Sequence, residues 1–512
     1  MTDAMIVIAI IIYIASVIAV GMKLSNENKS TDDFYLGGRR LGPFVTAMSA
    51  EASDMSSWLL MGLPGVALAG LVAGNGSFAE AVWTAVGLAG GTYLNWLIVA
   101  KKLRVYSEKI QANTIPDFFS NRFADKSGAL LAISAVIIIV FFVPYTASGF
   151  AAIGKLFNSL FGLDYHTCMV VGAAVIAIYT ILGGFLAAST TDFIQSIIMT
   201  IALVVVLYYG ITRAGGMDAV MAGTQTVPGY FKLTGPDGSY GALPIASTLA
   251  WGLGYFGMPH ILLRFMAIEN EHKLKLARRV ASIWVVISMG IAIFIGVMGY
   301  AFASEEGIIG DNFDPERIIV YLASSLSKNN LFMAFLAGII ISGILASVMS
   351  TSDSQMLAAS SSVSENIAKR FFFKNMSEKS QMLFARMTVF VIAIIGVIFA
   401  WNPNSSVFRI VSFAWAGFGA AFGPLMLFSL FWKRTTKQGA IAGVAAGGIM
   451  VFVWKFGIAR LGGLFSIYEL LPAFFISCIA IVCVSLATKA PEEEVTDVFD
   501  QVGAAMKEKN GR

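Results

Sequence analysis

Three short stretches of this 512-residue chain set polar or conformationally unusual residues among apolar ones, and these are the places where chemistry could be done. The first runs from Ser49 to Ser57 and holds Glu51, Ala52, Ser53, Asp54, Met55 and Ser56, with Gly62, Pro64 and Gly65 close behind. So many short polar side chains beside Gly and Pro make a poor continuous helix and a good interrupted one. A break frees carbonyl oxygens, which suit a hard cation. It also exposes amide N–H groups at a half-helix N-terminus, where the dipole suits a carboxylate. The same side chains could instead merely hydrogen-bond a neighbouring helix. The second stretch, Ser342 to Ser354, places hydroxyls at Ser347, Ser350, Thr351 and Ser354, a spacing of three and four that shares one helical face. Hydroxyls plus carbonyls give a weak, oxygen-only site for an ion that must bind and leave. Sodium fits it, since calcium would want more carboxylates; helix packing alone is the competing explanation. The third stretch, Trp251 to His260, sets three glycines and Pro259 around Trp251 and Tyr255. Four residues apart on a helix, these two rings point the same way and could hold a compact apolar ring, or could simply be core or lipid-facing aromatics. His260, near the end of its apolar segment, reads as structural rather than as a proton relay.

The elements that must position these residues are membrane helices. The chain is 57% hydrophobic and 13% charged, with a mean hydropathy of +0.76, whereas soluble domains carry about 25% charged residues. Thirteen apolar segments can be placed, at about 4–22, 43–73, 76–100, 129–154, 166–187, 190–212, 243–266, 280–303, 331–362, 383–401, 406–432, 438–457 and 466–488. The second and ninth exceed a straight span and must tilt, bend or break. The first has Asp3 rather than a basic start and no small-x-small cleavage pattern, so it reads as a retained helix. With the N-terminus outside, 27 of the 35 Lys and Arg residues fall in inside loops and 7 outside, which orients the chain N-terminus out and C-terminus in. The tail after Pro491 is charged, and a partly disordered cytoplasmic end is expected. Cys168, Cys478 and Cys483 lie in apolar segments and read as small hydrophobes. His166, His260 and His272 are scattered, without a His-Glu-x-x-His pattern, which argues against a metalloenzyme. The chain shows neither the repeated pore loop of a channel nor a cytoplasmic kinase domain. The basic residues follow topology, so no nucleic-acid partner is expected, and no obligate protein partner is evident.

The chain resembles the sodium/solute symporter family, and within it the bacterial sodium/proline symporters. The residues that carry the likeness are Phe34 to Arg39, Gly42 to Ala50, Ala52 to Ser56 with Trp58 to Gly65, and Leu94 to Trp96. Others are Ile181 to Phe185 with Thr191 to Phe193, Trp251 to Phe256 with Pro259, His260 and Arg264 to Met266, and Ile344 to Ala346 with Met349 to Thr351. The resemblance implies an all-α membrane protein of about 13 transmembrane helices with the broken-helix, inverted-repeat (5+5) transporter fold. It implies a first helix and loop over 1–42, a transport core over 43–432 built of repeats 43–212 and 243–432, two further helices over 433–490, and a cytoplasmic tail over 491–512. The implied activity is sodium-coupled uptake of a small solute across the cell membrane, L-proline foremost, with another amino acid or small carboxylate as the alternative. The sodium ion would be held by the carbonyls of Ala52, Met55 and Ser347 and the hydroxyls of Ser350 and Thr351, with Asp54 in support. The solute would meet Ser56, Ser57, Tyr145, Trp251, Tyr255 and Pro259, while Arg39 and Asp192 match functional positions on the cytoplasmic side. Departures stand at Glu51 and Ser57, where proline carriers usually have Gly, at Met258, where they have Gln, and at Ser347, where they have Ala.

Overall fold

Backbone N–H and C=O groups find no water inside hydrocarbon, so apolar spans must satisfy them as helices or closed barrels. The computed structural model of the chain describes residues 1–25, 30–238, 240–373, 376–403 and 406–510. Lys29, Lys374 and Arg512, counted above with the inside basic residues, lie outside the described residues. Among the described residues the chain is helical, with a single isolated β-bridge between Leu41 and Ile268.

The principal helices are α1 (Thr2–Ser25), α2 (Pro43–Asp54), α3 (Trp58–Ala73), α4 (Ser77–Lys109), α5 (Ala129–Phe161), α6 (Tyr165–Arg213), α7 (Ala242–Phe256) and α8 (Pro259–Ala267). They continue as α9 (Glu271–Glu305), α10 (Leu331–Phe372), α11 (Glu378–Phe399), α12 (Val407–Phe431), α13 (Lys437–Leu461), α14 (Leu470–Ala487) and α15 (Glu493–Asn510). Among the described residues, ten helices are long and apolar enough to cross a membrane, or eleven if the bent pair α2–α3 is one span. The expected thirteen is therefore approximate. It is reached by admitting the short α7–α8 pair and dividing α6, whose 49 residues span roughly 73 Å, more than twice the hydrocarbon thickness. The dividing point is Gly184 (φ 64°, ψ −165°), a backbone state open to glycine and closed to L side chains. The sequence had placed that division a few residues later. The ninth segment was expected to end near residue 362. It runs on as α10 to Phe372, its last 11 residues in π-helix.

The two breaks have separate causes. Between α2 and α3 the chain bends by 60°. The last helical bond of α2 is Met55 N–H to the Glu51 carbonyl (2.7 Å), after which Ser56 N–H turns back to the Asp54 carbonyl (2.8 Å). Between α7 and α8 the final turns of α7, Ala250–Phe256, tighten to a 3-10 helix. Met258 is extended, and Pro259 takes the first position of α8, where its missing N–H is no loss. Glycines here do more than soften a helix. A Cβ at Gly91 of α4 would strike the Gly252 carbonyl, and one at Gly254 would strike the Trp415 indole. They let α7 thread between α4 and α12.

The near ends of the two interrupted segments are tied together. Leu41 N–H donates to the Ala267 carbonyl (3.1 Å), and Glu269 N–H to the Leu41 carbonyl (2.9 Å). Arg39 adds Nη1 to the Met266 carbonyl (2.7 Å) and Nη2 to the Ala112 carbonyl (2.6 Å). Arg104, which the sequence did not single out, caps the Ile268 carbonyl (2.7 Å).

The tail departs from expectation. Residues 493–510 form a helix, and Phe499 lies under Lys102 (4.8 Å) and Arg122 (5.1 Å), with Val502 buried and Lys433 paired to Asp500 (2.5 Å). Val495, Val498, Phe499 and Val502 recur at helical spacing, but the surrounding charge masked that stripe.

Candidate functional site

The polar islands of the second and ninth apolar segments meet. Ser350 Oγ on α10 donates to the Ala52 carbonyl on α2 at 2.8 Å, although 298 residues separate them. The Ser347 carbonyl accepts from Ser350 Oγ (3.3 Å) and Thr351 Oγ1 (3.1 Å). Four of the five oxygens expected to face a sodium ion thus form one continuous chain of contacts, and all lie on buried residues. Met55, whose carbonyl is the fifth, sits at the break with φ −74° and ψ 65°, so its carbonyl leaves the helical direction. The helical i, i+3, i+4 spacing puts the hydroxyls on one face, and packing of α10 against α2 and α6 presents that face to the break.

Asp54 ends α2 and is fully buried. Its Oδ2 accepts from the Tyr255 hydroxyl (2.5 Å), and its carbonyl accepts from Trp58 Nε1 (3.0 Å). The Ser57 hydroxyl makes no hydrogen bond, and the Tyr145 hydroxyl of α5 faces Ser56 without a bond of good geometry. Ser56, Ser57, Tyr145 and Tyr255 therefore surround the break, as expected from sequence.

Trp251 is placed differently. On an α-helix it would share a face with Tyr255, but in a 3-10 helix, with three residues per turn, positions four apart diverge. Its ring stacks on Tyr468 (5.2 Å, 21°) and lies 5.4 Å from Phe408. These three side chains help line a cavity of about 380 Å³ next to the 213–242 loop. Trp415 links the two positions: its Nε1 donates to the Trp251 carbonyl (2.7 Å), and its ring meets Tyr255 edge-on at 5.1 Å. Trp415, Phe408 and Tyr468 were missed from sequence, being single aromatics in apolar helices without a spacing signal. Pro259 and Met258 are buried at the α7–α8 break, and His260 is buried with its ring 5.5 Å from Phe142.

Asp192 joins a second polar group deeper in the helices. Its Oδ2 accepts from Ser49 Oγ (2.6 Å) and Arg264 Nη2 (3.1 Å), a pair that is 0% and 1% exposed. Arg264 also donates from Nε to Ser49 (3.0 Å), from Nη1 to the His260 carbonyl (2.9 Å) and from Nη2 to Ser354 (2.6 Å). The Tyr179 hydroxyl donates to Asp353 Oδ2 and to the Met349 carbonyl. Arg39 stands apart from this group, at the ends of α4 and α8.

The sequence pattern of the sodium:solute symporter family matches residues 34–447. The chain is 43% identical over 509 residues to a sodium/proline symporter of Haemophilus influenzae, covering 97% of each chain. It is 42% identical over 499 residues to a sodium/proline symporter of Escherichia coli, covering 96% of this chain and 95% of that one. Its fold is similar to that of a sodium-coupled sialic acid symporter in a substrate-bound outward-open state, with a TM-score of 0.76 at 18% sequence identity over 96% of this chain and 99% of the other.

Proposed function

Because the chain belongs to the sodium:solute symporter family, we propose that it drives uptake of L-proline with sodium. The observation that carries this reading is the contact of Ser350 Oγ with the Ala52 carbonyl. It joins a broken helix to a hydroxyl face and so gathers oxygen donors of the type a sodium ion requires. In this reading Ala52, Met55, Ser347, Ser350 and Thr351 hold the ion, and Asp54 supports them. The solute carboxylate meets the start of α3 near Ser56 and Ser57, where the helix dipole is positive and the Ser57 hydroxyl is without a partner. The ring lies among Tyr145, Tyr255 and Pro259, and Trp415 joins this wall to Trp251, whose own ring stacks on Tyr468. Sodium/proline symporters at 43% and 42% identity support the choice of solute. At 100 mV and a tenfold sodium gradient, one ion supplies roughly 3.7 kcal/mol, enough to accumulate solute on the order of several hundred-fold.

Two repeats, 43–212 and 243–432, would form the transport core, each beginning with an interrupted segment (α2–α3 and α7–α8). Residues 1–42, 433–490 and 491–512 would lie around it as an outer helix and loop, two further helices and a tail. In this reading the chain lies in the cell membrane with its N-terminus outside and C-terminus inside, an orientation the basic-residue bias supports. Arg39 would close the cytoplasmic ends of α4 and α8, and Asp192 would act through Arg264 on the same side.

Trp251→Ala tests the solute reading. Trp251 stacks on Tyr468 and backs Tyr255 through Trp415, so its truncation removes about 0.5–1.5 kcal/mol of aromatic packing together with the buried ring surface that holds this wall, and proline affinity should fall by about tenfold or more. Half-saturation by sodium should stay nearly unchanged. Uptake of labelled proline in vesicles, competed by a panel of unlabelled amino acids and carboxylates, measures both. If the wild-type protein accumulates another solute of the panel and leaves proline untouched, the solute assignment is wrong. Topology has its own check. Single cysteines at Asp311 and Lys379 should react with an impermeant maleimide from opposite faces of the membrane, the first from outside. Labelling of both from one face would refute the orientation.

A further inference from the structure

Tyr255 lies between Gly254 and Gly257, which leave the backbone around it free to turn. Its carbonyl cannot continue a helix. An α-helical turn would offer it the N–H of residue 259, and Pro259 has none. The donor that reaches it comes from another helix, Asn95 Nδ2 of α4 at 2.8 Å. Asn95 is 0% exposed and opens the π-helical turn Asn95–Val99 of α4. On the same face, Thr92 Oγ1 (3.1 Å) and Trp96 Nε1 (2.9 Å) donate to Glu51 Oε1 of α2 and leave Oε2 without a partner. A Cβ at Gly252 would lie 2.3 Å from the Gly87 carbonyl, so α4 and α7 touch main chain to main chain beside this bond. The Tyr255 side chain then rests with its hydroxyl on Asp54 Oδ2 and its ring edge-on to Trp415.

We propose that Asn95 is a positioning residue for solute binding: its amide holds the Tyr255 carbonyl and so aims the Tyr255 ring and hydroxyl at the α2–α3 break. The inference rests on the reading that Tyr255 lines the solute pocket. Packing alone does not call for an amide here. Asn95 Oδ1 is buried without a partner, and an unmet buried acceptor costs stability, so what the position gains is the Nδ2 donor. With glycine on both sides of the Tyr255–Phe256 pair, the bond from α4 fixes a peptide that its own helix leaves unheld.

Asn95→Leu keeps the approximate shape and removes the donor, and Asn95→Ala is the second variant should the first fail to fold. Each should raise the proline concentration for half-maximal uptake by about tenfold, the effect of leaving one buried carbonyl unpaired. The maximal rate per folded transporter should stay nearly unchanged, whereas a loosened fold would lower that rate and leave the concentration dependence alone. A second measurement needs no solute. In thermal unfolding of the purified protein in detergent, Tyr255→Phe should lower the unfolding temperature less in the Asn95→Leu background than in the wild type, because the hydroxyl is already displaced from Asp54. Additive thermal shifts overturn the proposal, and so does an unchanged half-saturation in the folded variants. If the wild type accumulates another solute of the panel and not proline, the half-saturation is read with that solute, and the proline assignment fails without this one.

Discussion

Arg264→Gln should destabilise the folded protein by about 3–5 kcal/mol, the scale for breaking a buried charge pair by removing one partner. Arg264 is 1% exposed and spends its guanidinium on Ser49, His260, Asp192 and Ser354, with its plane 4.9 Å from the Phe185 ring. These partners come from α2, α6, α8 and α10, so the side chain joins four helices. Gln reaches fewer of them and leaves Asp192, with Asp353 nearby, as buried acid without its cation. Asp192→Asn should do less harm. Asn keeps the side-chain oxygen that accepts from Ser49 and Arg264, and Asp353 still balances the guanidinium. Thermal unfolding of the purified protein in detergent, followed by a thiol-reactive dye and by size-exclusion recovery, should rank wild type above Asp192→Asn above Arg264→Gln. An Arg264→Gln protein that unfolds at the wild-type temperature would show that the network is not stabilising.

The second large effect concerns sodium. Ser350→Ala and Thr351→Ala should each raise the sodium concentration for half-maximal uptake by about tenfold, since a lost buried oxygen partner is worth about 1–3 kcal/mol. The double variant should lose more than either. Ser342→Ala supplies the control, because that hydroxyl bonds the Gly338 carbonyl one turn back on the same helix (2.8 Å). Its sodium dependence should match the wild type. Initial rates across a sodium series in vesicles decide the matter. If Ser350→Ala and Thr351→Ala leave the curve where Ser342→Ala does, the hydroxyl face is packing and not an ion site.

Sequence alone determined that the chain crosses the membrane many times, because apolar length is a local property, read along the chain without knowing its neighbours. It also determined that residues 49–65 and 250–260 would be interrupted, since Gly, Pro and short polar side chains act on the backbone that carries them. The hydroxyl face of α10 was likewise legible, being a matter of three- and four-residue spacing. Other features were decided only by the tertiary structure. Ser350 finds Ala52 across 298 residues, and no spacing rule reports that. Trp251 and Tyr255 diverge because close packing against α4 and α12 winds their helix to 3-10. Trp415 and Arg264 earn their roles from partners on other helices. The tail's helix needed Lys102 and Arg122 to receive Phe499. Glu51 was visible in sequence as an unusual acid. That one of its oxygens is held by Thr92 and Trp96 while the other is left over depends on α4 lying against α2, which is a fact of packing.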